Sequence, residues 1–207
     1  MAHPGLTFAT CECVLTYMSS VGVPPRSTAD ARRSTVVSRA IGVFGRAGYH
    51  ATPVTEVADA AGISQAYVFR LFNGKLGLFV AALDHCYAQI LDGLEKGAER
   101  VPGGSPEQIL EAMGDAYAEL IADRNLLMLQ VHAQSAADVP EIREALRRGY
   151  ADIVDFAKQR SRASDEQVQA FVAYGQLCHL IVTANLDGVD APWARTLTAG
   201  MRHVGHP

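Results

Sequence analysis

The sequence predicts an all-helical protein with a small three-helix unit followed by a larger helical bundle. Apolar residues recur at helical spacing along most of the chain, one segment in its first half carries dense turn and cap signals, and no stretch alternates as a strand would. With 207 residues, of which 49% are hydrophobic and 19% charged, the chain is long enough to bury a core. This composition excludes a disordered or fibrous protein.

The first helix is predicted to end near Gly48. Its buried face consists of residues spaced three and four apart: Val37, Ala40, Ile41 and Phe44. A second, short helix is predicted to follow, with Thr52 as its N-cap and Pro53 in its first position. Glu56 then lies in the first turn, where the helix dipole favours a carboxylate.

A sharp turn and a third helix come next in the pattern. Gly62 is predicted to make the turn, and Ser64 to cap the helix that follows. The small side chains Ala58 and Ala61, together with Gly62, allow two short helices to approach closely. The segment is therefore a predicted helix-turn-helix, with Val68, Leu71 and Phe72 facing inward and Gln65, Ala66 and Tyr67 facing outward.

The rest of the chain is predicted to form longer helices. Apolar stripes run from Phe79 to Leu94 and from Ile109 to Ile121, with Pro106 in the first turn of the second. Further helices are predicted over 126–134, 141–160, 165–186 and 192–203.

The balance of basic and acidic residues also changes where the predicted three-helix unit ends, near residue 75. Residues 28–75 carry six basic and three acidic side chains, whereas residues 76–207 carry eleven basic and eighteen acidic ones. A basic segment on an acidic protein favours contact with a polyanion while limiting unspecific adhesion to it. A solvated, arginine-rich helix face is the alternative interpretation of the charge alone.

The segment from Arg33 to Phe79 resembles the DNA-binding domain of TetR/AcrR-type transcriptional regulators. The resemblance rests on Phe44, Tyr49, Thr52, Ala58, the run Ala61-Gly-Ile-Ser64, a Phe, Lys75 and a Leu that follows it, at their spacings. It implies a DNA-binding head over 28–75, extending to about residue 88, and a helical regulatory and dimerisation domain over 76–207. Residues 1–27 are expected to be a loose arm, with natural translation starting at Met18 or near Val23.

The resemblance also implies roles for individual residues of the head. Bases would be approached by Gln65, Ala66 and Tyr67, phosphates held by Thr52 and Lys75, and the DNA backbone or minor groove reached by Arg33. For Tyr67, packing on the backbone sugars is the equal alternative. Phe69 departs from the tyrosine common in the family; it is expected to be a core aromatic, with Arg70 as the residue to which a phosphate contact would pass.

The segment 165–186 is apolar on nearly every side, so something must cover its outer face. The expected cover is a second subunit, and the homodimer is predicted to form through 141–160 and 165–186. Two-fold symmetry would then match a palindromic operator in double-stranded DNA.

A small-molecule effector is implied by the family and by a mixture of flexible apolar and polar-tipped residues. The candidate ligand-binding residues are Met113, Tyr117, Met128, His132, Tyr150, Tyr174 and Cys178. Ordinary core packing is the alternative for each of them.

The resulting prediction is a cytoplasmic, sequence-specific transcriptional regulator, a repressor released from its operator by a ligand. A regulator that activates or that has no ligand, an all-helical protein-interaction module, and an enzyme on the same fold are the alternatives. No catalytic residue, cofactor, metal site or membrane anchor is expected. Cys11 and Cys13 lack a partner pair at metal-ligand spacing, and the four cysteines are expected to be free thiols in a reducing compartment.

Overall fold

The computed structural model describes residues 28–200, and within that range the chain is helical with no strand. The helices are α1 (Thr28–Ala51), α2 (Val54–Ala60), α3 (Gln65–Phe72), α4 (Lys75–Glu99), α5 (Pro106–Leu120), α6 (Arg124–Ser135), α7 (Pro140–Ser161), α8 (Asp165–Ala184) and α9 (Pro192–Thr198), with a 3₁₀ turn at Leu186–Gly188 before α9. The all-helical prediction is confirmed. The predicted arm over 1–27, with Cys11 and Cys13, and the end of the last predicted helix lie outside the described residues.

The first three helices meet around a small apolar centre that they share with α4. Phe44 of α1 and Phe79 of α4 are fully buried, with ring centroids 4.9 Å apart in an edge-on contact. Val68 of α3 and Val57 of α2 are also fully buried. The helix-turn-helix is therefore held on α4 by aromatic and β-branched side chains.

Local signals set the ends of these helices, mostly as predicted. Gly48 has φ 75° and breaks the helical path of α1. Gly62 has φ 65° in the turn before α3. A Cβ at Gly62 would meet nothing within 4 Å, so this glycine is required for its left-handed backbone and not for a close helix approach.

The predicted cap of α2 is wrong by one position. Pro53 is the N-cap, with an extended backbone, and no side chain caps the helix. Thr52 is instead completely buried, and its hydroxyl has no hydrogen-bond partner. The helical path of α1 breaks at Gly48, and of the residues that follow, His50 and Ala51 stay exposed while Thr52 is buried.

The body is built around the long helix α4. Helix α5 packs along one side of α4 and α7 along another, while α6 packs across α1. At Gly45 of α1 a Cβ would lie 2.7 Å from the backbone oxygen of Asn125, which shows how closely α1 and α6 approach. Head and body therefore share one continuous core.

Within residues 28–200 no single helix is long and apolar enough to cross a membrane. The bent pair α3 and α4 meets the criterion of length and composition only when joined, across a 65° bend.

Candidate nucleic-acid interface and effector cavity

Helix α3 presents its first turn to the outside. The Ser64 hydroxyl accepts a hydrogen bond from the backbone N–H of Tyr67 at 3.2 Å, which fixes the start of the helix. Val68 and Phe72 anchor the inner face, whereas Gln65 and Ala66 are exposed. The first turn therefore lies at a distance from the core, with side chains available for contact.

Two arginines flank Tyr67, which is half-buried. The Arg70 guanidinium lies 4.6 Å from the centre of the Tyr67 ring. A hydrogen bond from Arg32 is the main cause that lowers the pKa of the Tyr67 phenol, and Arg70 adds to it. The arrangement fixes an aromatic ring between two cations at the surface of α3. Sequence reasoning missed Arg32, since only the fold brings the start of α1 against α3.

The side chain of Arg33 makes its contacts within the head. Its guanidinium donates a hydrogen bond to the backbone oxygen of Leu71 and lies 4.3 Å from the centre of the Phe72 ring. The contact predicted for Arg33 with the DNA backbone or minor groove stays a prediction. The last backbone oxygens of a helix have no partner within the helix. At the end of α3 the Arg33 guanidinium supplies a donor to one of them.

Lys75 and Thr52 are also used inside the head. The Lys75 amine donates to the backbone oxygens of Thr52 at 3.0 Å and His50 at 3.4 Å, and it lies 4.7 Å from the centre of the Tyr49 ring. Thr52 lies in the connection between α1 and α2, and Lys75, at the start of α4, bonds to it there; the phosphate contacts predicted for both residues stay predictions. The lysine ties that connection to the start of α4.

Phe69 is 49% exposed, so the expectation of a core aromatic is wrong. Val68 and Phe72 take the buried positions of α3, and Phe69 projects beside them. Its ring covers Gly74, where a Cβ would lie 3.2 Å from it. Phe69 therefore lies on the surface next to Arg70.

The body contains a cavity of about 340 Å³ between α5 and α8, closed at its sides by α4 and α7. Four of the seven predicted ligand-binding residues line it: Tyr117, Tyr150, Tyr174 and Cys178. The cavity walls are otherwise mostly aliphatic, with Ile90, Leu94, Leu110 and Ile153 among them. Such a space has the size and surface of a small-molecule site.

The other three predicted ligand-binding residues lie elsewhere. Met113 is fully buried in the main core, and Met128 packs against a small cluster around Leu127. His132 faces α1, where its ring would be 2.9 Å from a Cβ on Gly48. Helical spacing predicted correctly that these residues face inward. What they meet there is other core side chains or α1 of the head, and not the cavity.

A buried polar network ends the cavity on one side. The Tyr117 hydroxyl is 2.8 Å from His179 Nε2 and 3.4 Å from Gln130 Oε1. Gln130 lines the cavity at 3% exposure. Burial lowers the pKa of His179 to about 4, so its ring is neutral near pH 7.

Sequence reasoning missed Gln130 and His179 as site residues. The signal available for His179 was a polar residue inside the apolar segment 165–186, since such a residue is usually buried with a hydrogen-bond partner. Burial also raises the pKa of the Cys178 thiol to about 11 and that of the Cys86 thiol to about 12. Both thiols are free and are protonated near pH 7.

The outer face of α8 carries an apolar seam. Exposed or half-buried apolar residues follow one another at alternating spacings of three and four: Ala170, Ala173, Leu177, Leu180 and Ala184. Tyr174 beside the seam is 56% exposed, and so is Trp193 of α9. The outward residues of α7, by contrast, are mainly charged: Glu144, Arg147, Arg148, Asp152 and Asp155.

A capped helix-turn-helix that carries an aromatic ring between two arginines and is mounted on a helical body has the architecture of a helix-turn-helix DNA-binding protein. The family model described as bacterial regulatory proteins, tetR family, matches residues 36–82. The match covers the helix-turn-helix and the start of α4, so this part of the chain is similar to the DNA-binding domain of that family.

Two relatives agree with this assignment. The HTH-type transcriptional activator FasR of Mycolicibacterium smegmatis is 30% identical over 92 residues, which cover 44% of this chain and 41% of FasR. The match therefore spans less than half of FasR. The HTH-type transcriptional regulator BetI of Vibrio campbellii is 24% identical over 192 residues, covering 87% of this chain and 92% of BetI.

Solved structures share the fold over most of the chain. A TetR-family transcriptional regulator from Agrobacterium tumefaciens has a TM-score of 0.64 at 15% identity and covers 83% of this chain and 94% of its own. FadR from Bacillus subtilis, solved in complex with stearoyl-CoA, has a TM-score of 0.60 at 15% identity and covers 82% and 99%. The likeness extends beyond the head to the helical body.

Proposed function

We propose that the chain is a homodimeric repressor that binds a palindromic operator through α3 and leaves it when a small molecule occupies the cavity. The head comprises residues 28–75 and extends to about residue 88, and the body comprises the remainder from residue 76. The observation that carries the proposal is the first turn of α3, which is capped by Ser64 and presents Gln65, Ala66 and Tyr67.

Recognition of bases falls to that first turn. Gln65 offers an amide suited to the hydrogen-bonding edge of adenine, and Ala66 a methyl group suited to thymine. Tyr67, fixed by Arg70 and Arg32, is placed for base or sugar contact. Arg32 and Arg70 supply the positive charge that phosphates require.

Dimer formation is assigned to α8. Its seam alternates three and four positions as helices do when they pack along each other, and its alanines permit a close approach of two copies. Tyr174 and Trp193 extend the apolar surface. The charged outer face of α7 argues against a large share for 141–160, so the proposed interface is narrower than the sequence predicted.

Helix α6 provides the connection between cavity and head. Gln130 of α6 lines the cavity, while Asn125 and His132 of the same helix press on Gly45 and Gly48 of α1. A ligand that displaces α6 therefore shifts α1 and the recognition helix with it. Such a shift changes the distance between two heads that must fit half-sites about 34 Å apart. The FadR complex with stearoyl-CoA supports a small-molecule effector on this fold.

Selection of bound sequences from a random duplex pool tests the DNA-binding role. The wild-type chain is expected to enrich an inverted repeat, and Tyr67→Ala to relax the preference within each half-site. Lys96→Ala, a change of an exposed cation on the body, serves as the control and is expected to select the same motif. A folded protein that enriches no sequence at low salt would contradict the proposal and favour an interaction module.

The dimer interface has its own matched pair of variants. Ala173→Arg places a charge in the seam of α8 and is expected to yield monomers in sedimentation. Ala151→Arg makes the same change on the exposed face of α7 and is expected to leave the dimer intact. A wild-type monomer, or dissociation caused only by Ala151→Arg, would overturn the assignment.

A further inference from the structure

A second, polar cleft lies where the head meets the body. It has a volume of about 320 Å³ and is lined by α1, by Ala60 at the end of α2, by Gln89 of α4 and by the start of α6. Among the described residues it shares no lining residue with the cavity of the body. The cleft is therefore a separate space, placed where a bound molecule touches both parts of the protein.

Two of the six basic side chains of the head line this cleft, Arg39 and Arg46 of α1. The other four lie on or against α3 or, in the case of Lys75, bond to the connection between α1 and α2. None of the described residues of α3 lines the cleft. Part of the positive charge that the sequence counts toward DNA binding therefore lies at the junction of head and body.

The two guanidinium groups belong to one face of α1. Positions 39 and 46 are about two helical turns apart, and Gly42 lies between them. The Arg46 side chain extends back toward Gly42, where a Cβ would be 3.8 Å from its Nη1 atom. The carboxylate of Glu56 lies 3.7 Å from Nη2 of the same guanidinium. The α1 wall of the cleft is therefore cationic, and the glycine leaves its middle open.

The rest of the polar lining consists of neutral groups and one carboxylate. Ser38, Gln89 and Asn125 offer a hydroxyl and two amides, and Asp123 is the N-cap of α6. The Asp123 Oδ1 atom accepts hydrogen bonds from the backbone N–H of Asn125 at 3.0 Å and from the Asn125 amide at 3.1 Å. An ionised carboxylate only accepts hydrogen bonds. A ligand beside Asp123 must therefore present donors, such as hydroxyl groups.

The two guanidinium groups select the charged part of a ligand. A guanidinium binds phosphate through paired hydrogen bonds, and it stays protonated at any ordinary pH. Two guanidinium groups can share the three terminal oxygens of a phosphate ester, whereas a carboxylate offers only two oxygens. The volume of about 320 Å³ exceeds that of a phosphate group alone, so there is room for a further part of the ligand. Hydroxyl groups on that part suit Asp123 and the amides.

We infer that this cleft binds a small organic phosphate, the phosphate ester of a polyol or sugar. The phosphate group lies between Arg39 and Arg46, and the hydroxyl groups face Asp123 and Asn125. The backbone oxygen of Asn125 would be 2.7 Å from a Cβ at Gly45 of α1, so the ligand lies beside the tight contact between head and body. Binding of this ligand does not depend on the repressor role proposed above.

The test is calorimetric titration of the full chain with glycerol 3-phosphate, inorganic phosphate and glycerol. Glycerol 3-phosphate is expected to bind at least about tenfold more tightly than inorganic phosphate, and glycerol is expected not to bind. Raised sodium chloride is expected to weaken the binding of both phosphates. Binding of glycerol alone, or no binding of either phosphate, overturns the inference. Equal binding of the two phosphates overturns its polyol part.

Arginine variants locate the phosphate group. Arg39→Gln is expected to weaken glycerol 3-phosphate binding at least about tenfold, and this position is chosen because Arg46 also pairs with Glu56. Arg147→Gln, which changes an exposed arginine of α7, is the matched control and is expected to bind as the wild type does. Full affinity in Arg39→Gln overturns the inference. The wild-type ligand series decides the question even if Arg39→Gln does not fold.

Arg70→Gln distinguishes the cleft from the surface of α3, where we propose that DNA binds. It removes an exposed cation outside the cleft, so the affinity for glycerol 3-phosphate is expected to stay unchanged. A loss of affinity in Arg70→Gln that equals or exceeds the loss in Arg39→Gln overturns the assignment to the cleft.

Asp123→Asn tests the contact with the hydroxyl groups. Asparagine also caps helices, so α6 is expected to keep its start. Removal of the negative charge is expected to tighten the binding of inorganic phosphate and to reduce the preference for glycerol 3-phosphate to less than about threefold. A preference that stays at the wild-type value overturns the role of Asp123.

Operator binding with glycerol 3-phosphate, at constant ionic strength, separates this inference from the proposed function. Because the ligand contacts both α1 and α6, it is expected to change operator affinity at least about threefold. If the ester binds through Arg39 and operator affinity is unchanged, the phosphate site stands and the coupling of this contact to the operator is contradicted. If the ester does not bind and the operator is still recognised through α3, the DNA-binding proposal stands and the phosphate site is wrong.

Discussion

The head and the body of this protein differ in how completely each satisfies its own side chains. In the head, Arg33 donates to a backbone oxygen of α3, and Lys75 donates to one in the connection between α1 and α2. In the body, α5 and α8 leave a cavity of about 340 Å³, and α8 leaves an apolar seam exposed. These cations of the head find partners within the chain, whereas the body keeps an internal space and an exposed apolar face, which we propose to be filled by a ligand and a second copy.

The charge distribution follows the same division. The head carries its excess of arginine beside α3, and the body carries its carboxylates along α5 and the outer helices. The excess of basic residues in the head suits the contact with a polyanion that we propose for it, and the acidic balance of the body disfavours such contact elsewhere.

The junction of head and body gives the largest expected effect. A Cβ at Gly77 would lie 1.8 Å from the backbone oxygen of Phe72. Gly77→Ala must therefore push α3 away from α4, and we expect it to lower the free energy of unfolding by about 3 kcal/mol. Urea denaturation measures the change.

The matched control is an alanine at a glycine of α1 that has room for it. The nearest atom to a Cβ at Gly42 is in the side chain of Arg46, at 3.8 Å. Gly42→Ala is expected to raise stability by about 0.5 kcal/mol, because alanine is the better helix former. Equal losses in both variants would contradict the close packing of α3 on α4.

The next largest expected effect is a pH dependence of the free energy of unfolding, caused by His179 in the interior of the body. Burial holds the pKa of His179 at about 4, whereas the unfolded histidine takes up a proton near pH 6.5. The stabilising contribution of the neutral ring is therefore fully present above pH 6.5 and is lost as the pH falls toward about 4. At pH 5 we expect the loss to be about 2 kcal/mol.

The variant His179→Gln isolates the contribution of His179, because the wild type and the variant share every other titratable group. The difference in unfolding free energy between them is expected to shift in favour of the variant by about 2 kcal/mol between pH 7 and pH 5. A difference that does not change with pH would show that His179 is not held neutral by burial.

Lys75 offers a smaller effect that separates two roles. If it serves the connection between α1 and α2, Lys75→Met lowers stability by about 1 kcal/mol and leaves the salt dependence of operator binding unchanged. If it holds a phosphate, the salt slope falls by about one. Arg70→Ala, which changes an exposed cation of α3, is expected to reduce the slope and serves as the reference.

The smallest expected effect concerns Phe69. Because its side chain is 49% exposed, Phe69→Tyr adds a hydroxyl in solvent and is expected to change stability by less than about 0.5 kcal/mol. The hydroxyl can donate to a phosphate, and we expect operator affinity to rise about threefold. Unchanged affinity would place position 69 away from the DNA backbone.

The elements that the sequence predicted correctly depend on local chemistry. The cap at Ser64 and the backbone reversals at Gly48 and Gly62 are set by residues within a few positions of one another. Pro106 likewise begins α5 behind a Ser105 cap. Local signals of this kind need no knowledge of the remaining fold.

The contacts that the sequence did not reveal join residues far apart in the chain. Lys75 lies 23 positions from the backbone oxygen it bonds, and Tyr117 lies 62 positions from His179. His132 belongs to α6, a helix of the body, but its ring faces Gly48 of α1. Periodicity identifies an inward face, and only the packing of helices decides what that face meets.

The division of tasks between head and body is tested most directly by operator affinity in the absence of ligand. The comparison is between Tyr67→Ala and the double variant Glu111→Gln with Asp115→Asn, each measured on the selected operator and on a scrambled duplex. We expect Tyr67→Ala to lose at least about tenfold on the operator and little on the scrambled sequence, while the double variant binds both as the wild type does. Full affinity in Tyr67→Ala, or a specific loss in the double variant, would contradict the division.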